Sequence, residues 1–269
     1  MKRFLSFSLF VLFILTVVNL SAQDNTPAIQ KEKTSIGLSY TYPSFDMSEN
    51  FDFLSGIYEV RGKIPTNEHL SVLIFVPYST YSMKGESEST IGNLSVGLNY
   101  NSRTKDPFNF KGVLSIPTIG KSDRLIASLS AQADIWNFPR HLWGGVVADL
   151  EIVKRYYNEN GLFGGFGFGN YLLIPTGDNN GDVEDFLKYF VIGGMDKENS
   201  IGFDASLRGM YMLTSDDDFD ENLIHLFNIG IHYKAETVKP RLFFVLPVSE
   251  NYSDLIKNLI GFEITFFLK

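Results

Sequence analysis

The sequence predicts an all-β chain closed into an antiparallel transmembrane β-barrel. Three observations predict it: an export leader, a period of two that returns almost to the C-terminus, and aromatic residues gathered at the ends of the periodic segments. Twelve strands are expected, with fourteen as the alternative.

The leader comes first. Lys2 and Arg3 precede an apolar run from Phe4 to about Leu20, and the small residues Ser21 and Ala22 follow. A charged n-region, an apolar h-region and a small-residue cleavage point define a signal peptide over residues 1–22. That leaves 23–33 as a short periplasmic segment and 34–269 as the barrel. An uncleaved anchor is the alternative, but the run is at the short end for a membrane span. Export followed by a barrel places the chain in the outer membrane of a Gram-negative bacterium.

Composition agrees and excludes several functions. Among 269 residues there is no cysteine, so disulfide frameworks, thiolate metal sites and cysteine nucleophiles are absent. Lys and Arg number 23 against 31 Asp and Glu, a net charge of −8, which disfavours a nucleic-acid partner. The 24 Phe and 13 Tyr supply far more apolar surface than a disordered chain carries.

The alternation is explicit from segment to segment. Ile36, Leu38, Tyr40 and Tyr42 interleave with Ser35, Gly37, Ser39 and Thr41. Tyr58, Val60 and Ile64 oppose Ile57, Glu59, Arg61 and Lys63; Leu70, Val72, Ile74 and Val76 alternate with His69, Ser71, Leu73 and Phe75. Leu94, Val96, Leu98 and Tyr100 follow the same rule, as do Phe108, Phe110, Leu114 and Ile116 against Asn109, Lys111 and Ser115. Val146, Ala148, Leu150 and Ile152 oppose Asp149 and Glu151; Ile201, Phe203, Ala205 and Leu207 oppose Asp204, Ser206 and Arg208. The last segment sets Ile260, Phe262, Ile264, Phe266 and Leu268 against Glu263, Thr265 and Lys269. These segments exceed the usual five or six or so residues of a soluble strand and suit a tilted bilayer crossing.

A soluble β-sandwich alternates as well. Two features separate the cases. Tyr42, Tyr58, Tyr78, Tyr100, Phe108, Tyr233 and Phe266 stand at strand ends on the apolar face, where interfacial girdles belong. Full charges stand mid-strand on the polar face, which a dry sandwich core does not tolerate. Closure follows because lipid offers no partner to an open strand edge.

Strand number rests on parity, since periplasmic turns are short and outer loops long. The long gaps 43–54, 79–89, 175–185, 214–222 and 249–255 alternate with the short gaps 65–68, 196–199 and 235–238 only if one segment near 120–138 does not cross. The echo of Ile116-Pro117-Thr118 in Ile174-Pro175-Thr176, both read as outer-rim strand ends, asks for the same. Residues 118–140 are therefore expected to form a long loop, helical after Ser122 and folded inward over Lys121–Pro139. Leu129, Ala131, Ala133 and Ile135 alternate too, which keeps fourteen strands open. Pro65, Pro77, Pro117, Pro175 and Pro247 are expected at strand ends, where a missing N–H costs no ladder bond.

Ile64-Pro65, Phe75-Val76-Pro77-Tyr78, Gly92-Asn93-Leu94 and Ile116-Pro117-Thr118, in this order, resemble the outer-membrane barrels of the meta-pathway of phenol degradation family. The resemblance covers mainly residues 34–120, with an echo in Arg241–Pro247. It departs at Asn93, where the family usually has Asp, and at Ile119, which delays the glycine to Gly120. It implies a transporter-like barrel related to hydrophobic-compound channels, with no catalytic residues to carry over.

Lumen-facing candidates follow from strand parity: Glu59, Asp149, Glu151, Asp204 and Glu263 against Arg61, Lys63, Lys111, Arg208 and Arg241. Such balance fits either a salt-bridged filling or a polar path for a small solute. Gly165, Gly167 and Gly169 leave one strand face bare, which either opens space in the lumen or eases curvature. His232 is expected in the lumen beside Asn228. Asp178, Asn180, Asp182 and Glu184 lack the glycine position and closing glutamate of a calcium loop. Asp216, Asp217, Asp218, Asp220 and Glu221 read as a solvated loop, so no metal or cofactor is expected. His69, His141, His225 and His232 are scattered, with no Gly-x-Ser-x-Gly or His-Glu-x-x-His motif, and no enzyme is expected. The expectation is a passive channel or binding barrel for small, weakly polar or hydrophobic molecules; the alternative is a filled, non-transporting surface barrel. Its expected partners are outer-membrane lipids and lipopolysaccharide, the barrel-assembly machinery during insertion, and a small solute.

Overall fold

The computed structural model describes residues 33–45, 56–83, 86–102, 107–158, 160–176, 182–214 and 223–268. Residues 1–22, expected to be a signal peptide, nearly all of the 23–33 segment, Asp178, Asn180 and the acidic run 216–221 lie outside the described residues.

Thirteen strand segments run in chain order: β1 (Ser35–Phe45), β2 (Gly56–Pro65), β3 (Leu70–Met83), β4 (Glu86–Ile91), β5 (Leu94–Asn101), β6 (Phe108–Ile116), β7 (Gly145–Tyr157), β8 (Leu162–Pro175), β9 (Glu184–Met195), β10 (Ser200–Met212), β11 (Leu223–Lys234), β12 (Val238–Pro247) and β13 (Ile256–Phe267). All the pairings are antiparallel, and β1 pairs with both β2 and β13, so the sheet closes on itself. β4 and β5 pair with successive parts of β3, at Tyr78–Met83 and Leu70–Phe75, and are two halves of one barrel stave. The barrel thus has twelve staves, as parity requires.

Burial follows the sequence period with the usual polarity inverted. Ile36, Leu38, Val60, Ile64, Leu98, Phe168, Val191, Ile231, Leu242 and Ile260 are exposed on the outside. Ser71, Ser95, Asn99, Ser115, Asp149, Lys188, Ser206 and Asn228 are buried on the inside. Only a solvent more apolar than water makes this arrangement stable. Tyr40, Tyr58 and Tyr78 continue one another around one rim, at ring separations of 4.9 and 6.0 Å. Of the expected girdle, Phe108 departs: it is buried, its ring covered by Tyr100 at 5.9 Å.

Two expectations about the outer edge are corrected. Residues 79–89, read as a long loop, are mostly the ends of β3 and β4, whose ladder runs from Tyr78–Ile91 to Met83–Glu86. The Ser- and Glu-rich sequence of β4 carries no apolar alternation, which hides the strand. Pro77 is inside β3 rather than at its end. It stands beside the β4–β5 interruption, where Gly92 N donates to the Pro77 carbonyl at 2.9 Å and the regular ladder opens.

The loop between β6 and β7 spans 117–144, slightly longer than expected at both ends, and it folds inward. Helix α1 (Arg124–Ala133) follows a short turn of 3-10 helix, and a second such turn covers Ile135–Arg140. This disposes of fourteen strands: the alternation of Leu129, Ala131 and Ala133 lies on a helix. Ile126, Leu129 and Ala133 pack on Ile57, Tyr81, Leu226, Val245 and Leu259 of the wall. Phe138 and Ala131 pack on Val147, Tyr171, Leu173 and Met210. Each fully buried Ile, Leu or Phe contributes about 1.5–3 kcal/mol, enough to hold the segment as a plug. Helix α2 (Glu250–Ser253), in the loop before β13, closes over it as Tyr252 Oη donates to the Gln132 carbonyl at 2.6 Å.

Candidate functional site: the barrel lumen

All ten sequence-predicted lumen residues stand on inward positions. Glu59, Arg61 and Lys63 share one face of β2, and Arg241 and Glu263 face one another on β12 and β13. Lys111 pairs with Glu151 across β6 and β7. Eight of them form two charge networks rather than one.

The first network follows the barrel seam. Arg61 contacts Glu59 at 3.3 Å and Glu263 at 3.0 Å; Arg241 contacts Glu263 at 3.9 Å and Asp204 at 2.6 Å. Arg241 also donates to Asn228 Oδ1 at 3.2 Å. The plug joins through Arg140, which bonds Glu59. At the inner mouth Asp196 takes His232, Lys234 and Lys239 at 3.2–3.3 Å. Burial alone pushes the Asp196 carboxyl up, but Lys239 and Lys234 outweigh it and hold it below the usual range.

The second network lies across the barrel. Lys111 contacts Glu151 at 3.1 Å and Asp149 at 3.4 Å. Lys188 contacts Asp149 at 2.5 Å and Glu151 at 3.5 Å, and stands 3.7 Å over the Tyr171 ring.

Both networks use one device: a long cation crosses a glycine on the strand between it and its acid. Lys188 of β9 crosses Gly169 of β8 to reach β7; Arg241 of β12 crosses Gly230 of β11 to reach β10. A Cβ on Gly169 would lie 3.0 Å from Lys188 Cε, and one on Gly230 would lie 2.7 Å from Arg241 Nε. The glycine face at 165, 167 and 169 is therefore not open space. Phe190 fills the ground over Gly167 and Lys188 that over Gly169. The plug then rests on the fillers, with Trp136 edge-on to Phe190 at 6.2 Å.

Sequence reasoning missed Lys188, Arg140, Asp134, Trp136 and Asp196. Asp134 and Trp136 come from the aperiodic plug and line a cavity of about 250 Å³ beneath it, with Arg61, Arg140, Arg208 and Glu263. Burial pushes the Asp134 carboxyl up against the lowering pull of Arg140. A second cavity, of about 270 Å³, lies toward the inner mouth and includes Arg155, Phe163, Ile192 and His232. Arg208, Arg241 and Glu263 line both cavities. His232 is buried in the lumen as expected, and Arg241 links its surroundings to Asn228. Among the described residues no group of three His, Asp or Glu is placed to hold a metal ion.

An apolar-clad, closed barrel of twelve staves with a plugged, charge-lined lumen defines the outer-membrane barrel class. The COG4313 outer membrane channel from Pseudomonas putida F1 superposes with a TM-score of 0.62 at 11% identity, covering 91% of this chain and 99% of that one. LpxR from Salmonella typhimurium superposes at 0.51 with 13% identity, covering 87% and 100%. No protein-family model and no curated sequence matches the chain. At these identities the likeness is one of fold.

Proposed function

We propose that this chain is an outer-membrane channel, exported by its leader, that passively admits small, weakly polar or hydrophobic molecules. The observation that carries the reading is a pair of cavities that share Arg208, Arg241 and Glu263 in their linings, so that hollow space lies on either side of these residues in a polar interior. The resemblance to the phenol-degradation barrels and the fold of the Pseudomonas putida channel support it. Lipid and lipopolysaccharide would surround the apolar band, and the barrel-assembly machinery would insert it. A catalytic role is not part of the proposal. Planar-bilayer conductance and liposome swelling test the reading. Small current steps are expected, growing when the plug is shortened between Lys121 and Pro139.

A filled, non-transporting barrel is the second reading, favoured by the apolar packing of α1 against the wall. It predicts neither conductance nor swelling, and that outcome would remove the channel.

A further inference from the structure

Nearly every described cation in the lumen has a carboxylate in reach, and two arginines do not. Among the described residues, no carboxylate lies within 4 Å of the Arg208 guanidinium, whose Nε donates to Ser206 Oγ at 3.3 Å. Arg155, inward on β7, is likewise without one. Both line the inner cavity. The acids of that cavity are already engaged: Asp204 by Arg241, Glu263 by Arg61, and Asp196 by His232, Lys234 and Lys239. Arg155 is exposed at the mouth, while Arg208 is half-buried and feels Glu151, Asp134 and Asp204 only from beyond salt-bridge reach. Its guanidinium is left with no carboxylate in direct contact, a position that a mobile anion can complete. Guanidinium is planar and matches a carboxylate with two parallel bonds, which a spherical ion does not offer.

His232, Lys239 and Arg241 complete the charged lining, and Phe163 and Ile192 supply its apolar part. The Trp136 ring stands 5.3 Å from Arg208 on the plug side. A volume of about 270 Å³ is at the low end of small-ligand sites and suits a single substituted ring or a short acyl chain.

We propose that the inner cavity binds a small organic monocarboxylate, its carboxylate held by Arg155 and Arg208 and its apolar body laid on Phe163 and Ile192. The inference deepens the channel reading, on which it rests, by naming the class of solute that pauses in the lumen.

The test uses the full barrel in a non-ionic detergent, with Trp143→Phe so that Trp136 is the one remaining indole of the two in the chain. Sodium benzoate, benzyl alcohol and sodium chloride are titrated separately while Trp136 emission is followed. Benzoate is expected to give a saturable change at least tenfold tighter than benzyl alcohol, and chloride at equal concentration none. Arg208→Gln and Arg155→Gln are each expected to weaken benzoate at least tenfold and leave benzyl alcohol as it was. Arg155 is exposed at the inner mouth, so its variant decides the matter should Arg208→Gln fail to fold. Three results would each overturn the site: chloride reproducing the signal (an adventitious ion only), benzoate and benzyl alcohol binding alike, or Arg155→Gln binding benzoate undiminished. Liposome swelling on the same protein separates the two readings. Swelling by neutral solutes without benzoate preference keeps the channel and removes the site; benzoate binding without any swelling does the reverse.

Discussion

Arg241 grips both carboxylate oxygens of Asp204 across the bare backbone of Gly230, at 3.0 Å from Nε and 2.6 Å from Nη2. Gly230 is opposite Asp204 in the ladder, so any side chain there would stand where the guanidinium now lies. Arg61 crosses Gly37 toward Glu263 in the same way but with more room, since a Cβ at 37 would meet Arg61 at an ordinary 3.6 Å.

The two glycines therefore respond differently to alanine. Gly230→Ala is expected to displace Arg241 and cost about 2 kcal/mol, the worth of a hydrogen bond to a charged group. Gly37→Ala is expected to be neutral or slightly stabilising, since alanine loses less chain entropy than glycine on folding. Thermal unfolding of the two variants in detergent, followed by near-UV circular dichroism, compares them directly. Equal midpoints would show that the crossing does not depend on the glycine.

Asn93 fastens the plug with both ends of its amide. Its Nδ2 donates to the Leu142 carbonyl at 2.6 Å and the Pro139 carbonyl at 3.0 Å, while its Oδ1 accepts from Thr118 N at 3.1 Å. A carboxylate at this fully buried position keeps the acceptor and turns both donors into repulsion against carbonyl oxygens. Asn93→Asp is expected to lower the unfolding midpoint more than Asn93→Ala and to raise bilayer conductance by loosening the plug. A silent Asn93→Asp would mean that these bonds do not set the plug's position.

His141 makes the plug sensitive to acid. Burial, the largest influence, and Arg140 hold its ring down to about 4, against the raising pull of Glu59. The unfolded chain takes up the proton near 6.5 and the folded chain only near 4, so the unfolded state binds more protons in between and stability falls as pH drops through that window. The loss approaches about 3 kcal/mol at full effect. Asp134, pushed up by burial, works in the opposite direction, because protonation relieves its cost. Unfolding midpoints measured from pH 8 to 4 should decline below 6.5 in the parent chain, and decline less in His141→Gln. An unchanged slope in that variant would place the sensitivity elsewhere.

The inward set from Glu59 to Glu263 was legible in the sequence because lipid enforces one bulky face on every strand, leaving charges no other side. Three kinds of information were not legible. β9 carries large residues on both faces, with Phe186, Lys188 and Phe190 inward and Leu187, Tyr189 and Val191 outward, so no alternation announced Lys188. Arg140 and Trp136 belong to an aperiodic segment whose position depends on distant wall residues. Glycine at 169 and 230 reads as absence in a sequence, and only strand order reveals that each lies under a neighbour's charge. Ile57, Leu226, Val245 and Leu259 were a readable but unread signal: apolar residues at inward parity near one rim, the seat of the plug.

Lys188 offers the most severe test of the second network. Its side chain is 0% exposed, wedged between Asp149 and Glu151 with the Tyr171 ring at its ammonium. Removing it leaves two buried carboxylates to share Lys111, and truncating one partner of such a group costs about 3–5 kcal/mol. Lys188→Met fills the same volume without the charge and is expected to show that loss. Adding Asp149→Asn removes the surplus negative charge, so the double variant should recover more than half of it. The comparison needs four proteins and one unfolding assay. If the double variant is as unstable as the sum of its singles, Lys188 is held by packing on Tyr171 and Gly169 rather than by its carboxylates.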